Sequence, residues 1–308
     1  MLTDRIFSPD SFWYGRIPEA APQHPQSARL VKELLSQINT GRGRVNINYK
    51  AYSSPVYFAA VSTSRVTVSQ WNCQNKKSGF PSKRLAEHWQ SVPIPADARP
   101  SAGSDAEMTI YERNSDTVWE FWRARRIDGK WSACWGGRIS DASKNNGYFD
   151  GAGGATATGL PFLGGQITAE ELLRGEIRHV IGIAVKRVAS RDVFYWPAQR
   201  SDGGMPANME AQIPEGARFR LSPSVNVDEL PMGHIGKVIA KAAQQYGFVV
   251  WDKAAAVSIR AQNILSYDVV EGVNVYDSMS ADFPDTMRGF PWDKVEFLPP
   301  NYGKADLP

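Results

Sequence analysis

A chain of 308 residues can bury a sizeable apolar core, either as one large β-rich unit or as a main domain with a smaller one attached. Its 35 Lys and Arg nearly balance 32 Asp and Glu, and the net charge of +3 is too small to argue for phosphate-backbone recognition, so no nucleic-acid partner is expected. The two cysteines, Cys73 and Cys134, exclude a disulfide-dense scaffold and a cysteine-rich metal site; one bridge is possible, but two separate buried thiols are the expectation.

The N-terminus places Asp4 beside Arg5 without an apolar run, unlike a secretory signal, and no uninterrupted apolar stretch approaches the roughly twenty residues that span a bilayer. Phe7, Phe12, Trp13 and Tyr14 lie among Pro18, Pro22 and Pro25. Prolines fix φ and remove donors, so this segment is expected to be irregular and to lay its aromatics on another surface, its own or a partner's. Ser27 opens a helix that carries Leu30, Val31, Leu34, Leu35 and Ile38 on one stripe and ends at Thr40-Gly41. From Arg44 the period becomes two, and residues 45–49, 56–61 and 65–68 read as strands. A Pro-, Ala- and Ser-rich connection over 93–103 follows.

Three successive antiparallel strands are predicted over 105–111, 117–126 and 130–139, the last two joined by Asp128-Gly129, a pair suited to the positive φ angles of a tight hairpin. Thr168 and Glu171 form a capping box for a short helix ended by Gly175. Residues 177–188 read as a long central strand, 216–221 as a short one, 232–246 as a helix with Ile235, Val238, Ile239, Ala242 and Tyr246 on one face, and 248–251 and 256–259 as closing strands. Beyond Asn263 the chain is loop-rich.

Chemistry is expected first on the strand 117–126. Alternation puts Glu120, Trp122 and Arg126 on one face, and Trp119, Phe121 and Arg123 on the other. An indole beside a carboxylate and a guanidinium suits a sugar, whose apolar ring face stacks on the indole while its hydroxyls meet the charged groups; an edge tryptophan covering a satisfied Glu-Arg pair is the alternative. Glycoside hydrolysis needs two carboxylates roughly 5 to 10 Å apart, which Asp105 or Glu107 with Glu120 could supply from adjacent strands. His179 is a candidate base for a lyase, against the plainer reading of a satisfied, partly buried imidazole. The remaining histidines show no metal-ligand spacing, so neither a metal nor a cofactor is expected. The run 151–159, rich in glycine, lacks the Lys-Ser/Thr ending of a phosphate loop and suits close backbone approach instead.

Pro93-Ile-Pro95, Asp105, Trp119-Glu-Phe-Trp122, Trp135-Gly-Gly137, Ala157-Thr-Gly-Leu-Pro161, Gly164-Gly165, the unit from Glu171 to His179, Trp196-Pro197 and Pro214-Glu-Gly-Ala-Arg218 together resemble a β-sandwich domain of tailed-phage minor tail proteins and of uncharacterised secreted actinobacterial proteins. The resemblance spans about residues 93–251. It implies a surface-facing role in a virion tail, assembled in the host cytoplasm, or alternatively a secreted location. The expected fold is mainly β, a jelly-roll-like antiparallel β-sandwich with a few peripheral helices. Residues 1–43 would form a docking segment with one helix, 44–262 the sandwich and 263–308 a loop-rich tail. The expected function is a minor tail or receptor-binding component that contacts host cell-envelope glycan through Trp122, Arg126, Trp135, Tyr148 and Trp196. Other tail-tip proteins and further copies of the chain are the expected partners. The alternative is a glycoside hydrolase or polysaccharide lyase using Glu120, Asp105, Glu107 or His179.

Overall fold

A computed structural model describes residues 5–151, 153–206, 209, 211–266, 276 and 285–304. Among them the chain is mainly β. Its strands are β1 (Asn46–Asn48), β2 (Val56–Ala59), β3 (Arg65–Val66), β4 (Val68–Gln70), β5 (Val92–Pro93), β6 (Met108–Glu112), β7 (Thr117–Trp122), β8 (Arg125–Ile127), β9 (Lys130–Ala133), β10 (Trp135–Ile139), β11 (Ile181–Val185), β12 (Arg218–Leu221), β13 (Phe248–Lys253), β14 (Ser258–Arg260) and β15 (Val295–Phe297). The helices are α1 (Ser27–Gly41), α2 (Lys83–His88), α3 (Phe162–Gly165), α4 (Ala169–Arg174) and α5 (His234–Gln245). Neither α2 nor α3 is evident in the apolar periodicity, because each spans too few residues to show a stripe.

Two sheets dominate. The larger runs β1-β14-β11-β13-β12-β15, and the smaller runs β10-β7-β6-β2. The pairing is mixed, which corrects the expectation of a wholly antiparallel arrangement: β1 with β14, β11 with β13, β2 with β6 and β4 with β9 are parallel. Parallel neighbours need long crossovers, and the one from β11 to its parallel neighbour β13 passes through β12 and α5.

Three apolar clusters stack through the molecule. In the first, α1 and α5 cover the outer face of the larger sheet, with Leu30, Leu34 and Ile38 of α1 and Val238 and Ile239 of α5 against Ile183, Phe219, Val250 and Ile259. The second lies between the two sheets and joins Val249 and Trp251 to Tyr111, Val118 and Ile139. On the far face of the smaller sheet, the third packs Met108, Ile110, Trp119 and Phe121 against Leu85 and Trp89. Strand alternation therefore has the predicted consequence, since Trp119 and Phe121 point one way and Val118 the other.

Segments near both ends of the described residues enter this core. Phe12–Tyr14 form a single 3-10 turn, and Phe7, Phe12 and Trp13 are buried within the chain itself. Trp13 donates Nε1–H to the Gly147 carbonyl at 2.8 Å and lies edge-on to Trp251 at 6.4 Å. At the other end Phe290, Trp292, Val295 and Phe297 join the first cluster, and β15 becomes an edge strand beside β12. The cysteines depart from the expectation of two thiols: Cys73 and Cys134, 61 residues apart, form a disulfide.

Candidate functional site

The smaller sheet turns one face toward the larger, and register decides what that face carries. Glu120 lies opposite Thr109 on β6 and Gly137 on β10, while Trp122 lies opposite Trp135. Glu107, one residue ahead of β6, continues the same face. The two indoles are thus cross-strand neighbours at the end of the sheet. Beyond Trp122 the strand does not run on to Arg126 as alternation alone requires. Arg123 adopts φ +54°, which breaks the strand and starts β8 in a different, three-stranded sheet. The Asp128-Gly129 hairpin forms there as expected, both residues at positive φ.

Trp122 and Trp135 line a cleft of about 480 Å³ together with Asp105, Glu107, Arg200 and Asp252. Asp105 Oδ1 accepts the Trp122 indole N–H at 3.1 Å. Lys76 sits 4.0 Å above the Trp135 ring, on the loop that the Cys73–Cys134 disulfide fastens to the start of β10. Behind Glu107 and Asp252 of the cleft, Arg260 of β14 bridges the sheets. Its Nη1 donates to Glu107 Oε1, and its Nη2 donates to Asp252 Oδ2 at 3.3 Å. Asp252 reaches this side because β13 is bulged: the register against β11 passes from Ile183↔Val250 to Ala184↔Asp252, leaving Trp251 as the extra residue.

Electrostatics follow from burial. Glu107 is fully buried, and the low-dielectric surroundings push its carboxyl up to about 7 against the pull of Arg260, with Asp105 and Asp252 adding repulsion. Burial likewise raises Asp252 to about 6. Glu107 Oε2 has no hydrogen-bond partner among the described residues. A single guanidinium holds both carboxyl groups, so they lie within roughly 10 Å of each other, the outer limit for a pair acting on one glycosidic bond.

The glycine-rich run has a defined job at the cleft wall. Arg200 donates Nε–H to the Ala157 carbonyl at 2.8 Å, Nη1–H to Gly153 at 2.7 Å, and Nη2–H to Gly154 and Thr156 at 3.2 and 2.7 Å. A phosphate loop presents N–H groups inward, whereas this loop presents carbonyl oxygens to a cation. Desolvation lowers Arg200 to about 10.

Of the expected site residues, Asp105, Glu107, Trp122 and Trp135 come together in the cleft, and the others do not. Glu120 is sealed between the sheets, where its Oε1 accepts the Phe162 N–H at 2.6 Å, and burial raises its carboxyl to about 8. It anchors the start of α3 and does not line the cleft, contrary to the expectation that it faces Asp105 or Glu107 across a substrate. Arg126 is exposed on β8 and donates to the Ala96 carbonyl at 3.1 Å. Tyr148 and Trp196 pack against the inter-sheet cluster and do not line the cleft.

His179 lies apart, beside a cavity of about 40 Å³ lined by Tyr14 and Glu171. Its Nδ1 is 2.8 Å from the Val180 carbonyl and its Nε2 3.2 Å from Glu171 Oε2. With one ring nitrogen against the Val180 carbonyl and the other against the Glu171 carboxylate, the buried imidazole fits the plainer expectation of a satisfied, ion-paired side chain. The predicted capping box is present, and the same Glu171 carboxylate accepts both the Thr168 N–H and its hydroxyl at 2.9 Å.

The residues missed from the sequence are Asp252, Arg260 and Arg200. The first two had a signal: each is a charged side chain in a strand whose neighbours, such as Trp251 and Ile259, are apolar and buried. Among the described residues no cluster of three or more metal-ligating side chains occurs, and no helix is long and apolar enough to cross a membrane. No family model, curated protein or solved structure matches the chain.

Proposed function

We propose that the chain binds a cell-surface glycan in the cleft between its two principal sheets, as a minor tail or receptor-binding component of a tailed-phage virion. The observation that carries glycan binding is the pairing of Trp122 with Trp135 in a cleft whose other walls hold Asp105, Glu107 and Asp252. Indoles stack on the apolar faces of pyranose rings, and carboxylates accept hydrogen bonds from their hydroxyls. The virion placement draws on the motif resemblance. The disulfide is in keeping with it, because such bonds persist on virions and in secreted proteins and are rare in reducing cytosol. In that setting tail-tip proteins and further copies of the chain are its partners.

The test is a binding isotherm with isolated actinobacterial cell-wall polysaccharide. Trp122→Ala should weaken binding at least roughly tenfold, equal to about 1.4 kcal/mol. Unchanged affinity in that variant removes the cleft from consideration.

A second reading is favoured by one observation, the two carboxyl groups with raised pKa values at the cleft floor. In a glycoside hydrolase, Glu107 would donate its proton to the leaving oxygen while Asp252 or Asp105 served as base or nucleophile. Release of reducing sugar from the same polysaccharide, lost in Glu107→Gln, would establish it. Binding without release leaves the first reading standing.

A further inference from the structure

The near-neutral total charge conceals a local imbalance. A second groove, of about 790 Å³, adjoins the aromatic cleft and shares Asp105 and Lys253 with it. It follows β1, the edge strand of the larger sheet, and its walls carry Arg42, Arg44, Lys50, Lys186, Lys253 and Arg260. Among the described lining residues Asp105 is the one acidic side chain.

These cations divide into two groups. Arg44 pairs with Asp285 at 3.3 Å, Lys253 with Asp202 at 3.2 Å, and Arg260 with the cleft carboxylates. Lys186 donates to the Thr40 carbonyl at 2.8 Å and has no acidic partner among the described residues. Arg42 and Lys50 are exposed, and Lys50 lies 5.2 Å above the Tyr49 ring. Between them Asn46 and Asn48 present amide groups, and exposed Tyr52, also in the groove wall, lies against Gly103. Amides and tyrosines meet hydroxyls and ring faces, while lysine and arginine meet carboxylates or phosphates.

We propose that this groove is a subsite for the anionic substituents of the glycan, so that the ligand is an acidic polysaccharide. One stretch of the polymer lies against Trp122 and Trp135, and the next lies along β1 with its carboxylates or phosphodiesters near Arg42, Lys50 and Lys186. This rests on the glycan-binding reading of the adjoining cleft. Surface charges attract across several ångströms at low salt and are screened as the Debye length falls from about 10 Å at 0.1 M to about 3 Å at 1 M ionic strength.

The experiment compares four polymers by calorimetry: polygalacturonate for carboxylates, a glycerol-phosphate teichoic acid for phosphodiesters, an uncharged β-glucan, and single-stranded DNA. The intact protein should bind one of the two anionic glycans at least roughly tenfold more tightly than the β-glucan, with the advantage lost in 1 M NaCl. Whichever anionic glycan wins identifies the substituent. In Arg42→Gln/Lys50→Gln, whose altered side chains are exposed, that preference should fall roughly three- to tenfold while β-glucan affinity stays constant. A double variant equal to the parent, a preference for β-glucan, or DNA binding as tight as the better glycan would each overturn the proposal. Trp122→Ala separates the two ideas: if it weakens every glycan while the double variant changes nothing, the cleft stands and the basic subsite falls.

Discussion

His179 and Glu171 show how a single contact ties stability to pH. The Val180 carbonyl and the Glu171 carboxylate both face ring nitrogens, and only the imidazolium can donate to both at once. Burial opposes the charged ring, but Glu171 outweighs it and holds His179 above its ordinary value of 6.5; despite its own burial, Glu171 is held below 4.5 by His179 and Thr168. For the raised imidazole, the stabilising contribution is complete below 6.5 and is lost as pH rises through its folded value. For the lowered carboxylate, it is complete above 4.5 and is lost as pH falls through its folded value. Both are engaged between about pH 4.5 and 6.5. Glu171→Gln keeps a side chain able to complete the capping box but removes the charge, so it should destabilise the fold by roughly 3 to 5 kcal/mol at pH 6 and by less at pH 9. Urea midpoints at the two pH values check this, and an equal loss at both would mean that the charge of the His179–Glu171 pair does not stabilise the fold.

Among the elements, the loop between β4 and α2 depends most on a covalent tie. It brings Gln74 and Lys76 to the rim of the aromatic cleft, and the Cys73–Cys134 bond fastens it one residue before Trp135. Closing a separation of 61 residues restricts the unfolded chain and is worth roughly 2 to 5 kcal/mol. Cys73→Ser/Cys134→Ser should therefore lower the thermal midpoint. The same variant should weaken glycan binding, because Lys76 is no longer held over the Trp135 ring. Calorimetry with and without reductant on the parent protein gives an independent reading of both effects. The bulge at Trp251 is the other decisive local feature, because without it Asp252 would alternate to the face covered by α1 and α5.

At the scale of the whole molecule, the two large sheets meet through an apolar cluster and one ionic bridge. Arg260 is buried against the Phe162 and Trp251 rings, with centroid distances of 4.6 and 5.7 Å, and it compensates both Glu107 and Asp252. Removing it leaves two buried carboxyl groups without a counter-charge. Arg260→Met should cost roughly 3 to 5 kcal/mol at pH 8, and Arg260→Met/Glu107→Gln should recover part of the loss. Chemical denaturation of the two variants tests this, and strict additivity with Glu107→Gln alone would mean that the bridge is not coupled. The pH dependence of Arg260→Met should also steepen between 5 and 8, since carboxyls already raised by burial become still harder to ionise without the guanidinium.

Features governed by nearby residues were legible in the sequence. The apolar stripes of α1 and α5, the Thr168–Glu171 capping box, the Asp128-Gly129 hairpin and the opposite facing of Trp119 and Val118 all depend on neighbours a few positions away. Asp105, Glu107, Trp122 and Trp135 were each singled out in the sequence, but in different groupings, with Glu120 or with Arg126, Tyr148 and Trp196; that these four line one cleft is set by the sheet register and by the break at Arg123. Tertiary structure decided the rest. Glu107 meets Arg260 across 153 residues of sequence, and nothing local to either names the other. Glu120 and Trp122 share a face, yet one is sealed beneath α3 and the other borders a cleft, a difference set by the chain laid over each. The aromatics of the N-terminal segment and the strand β15 were hidden for the same reason: their partners are remote strands, and burial there outweighs weak local propensity.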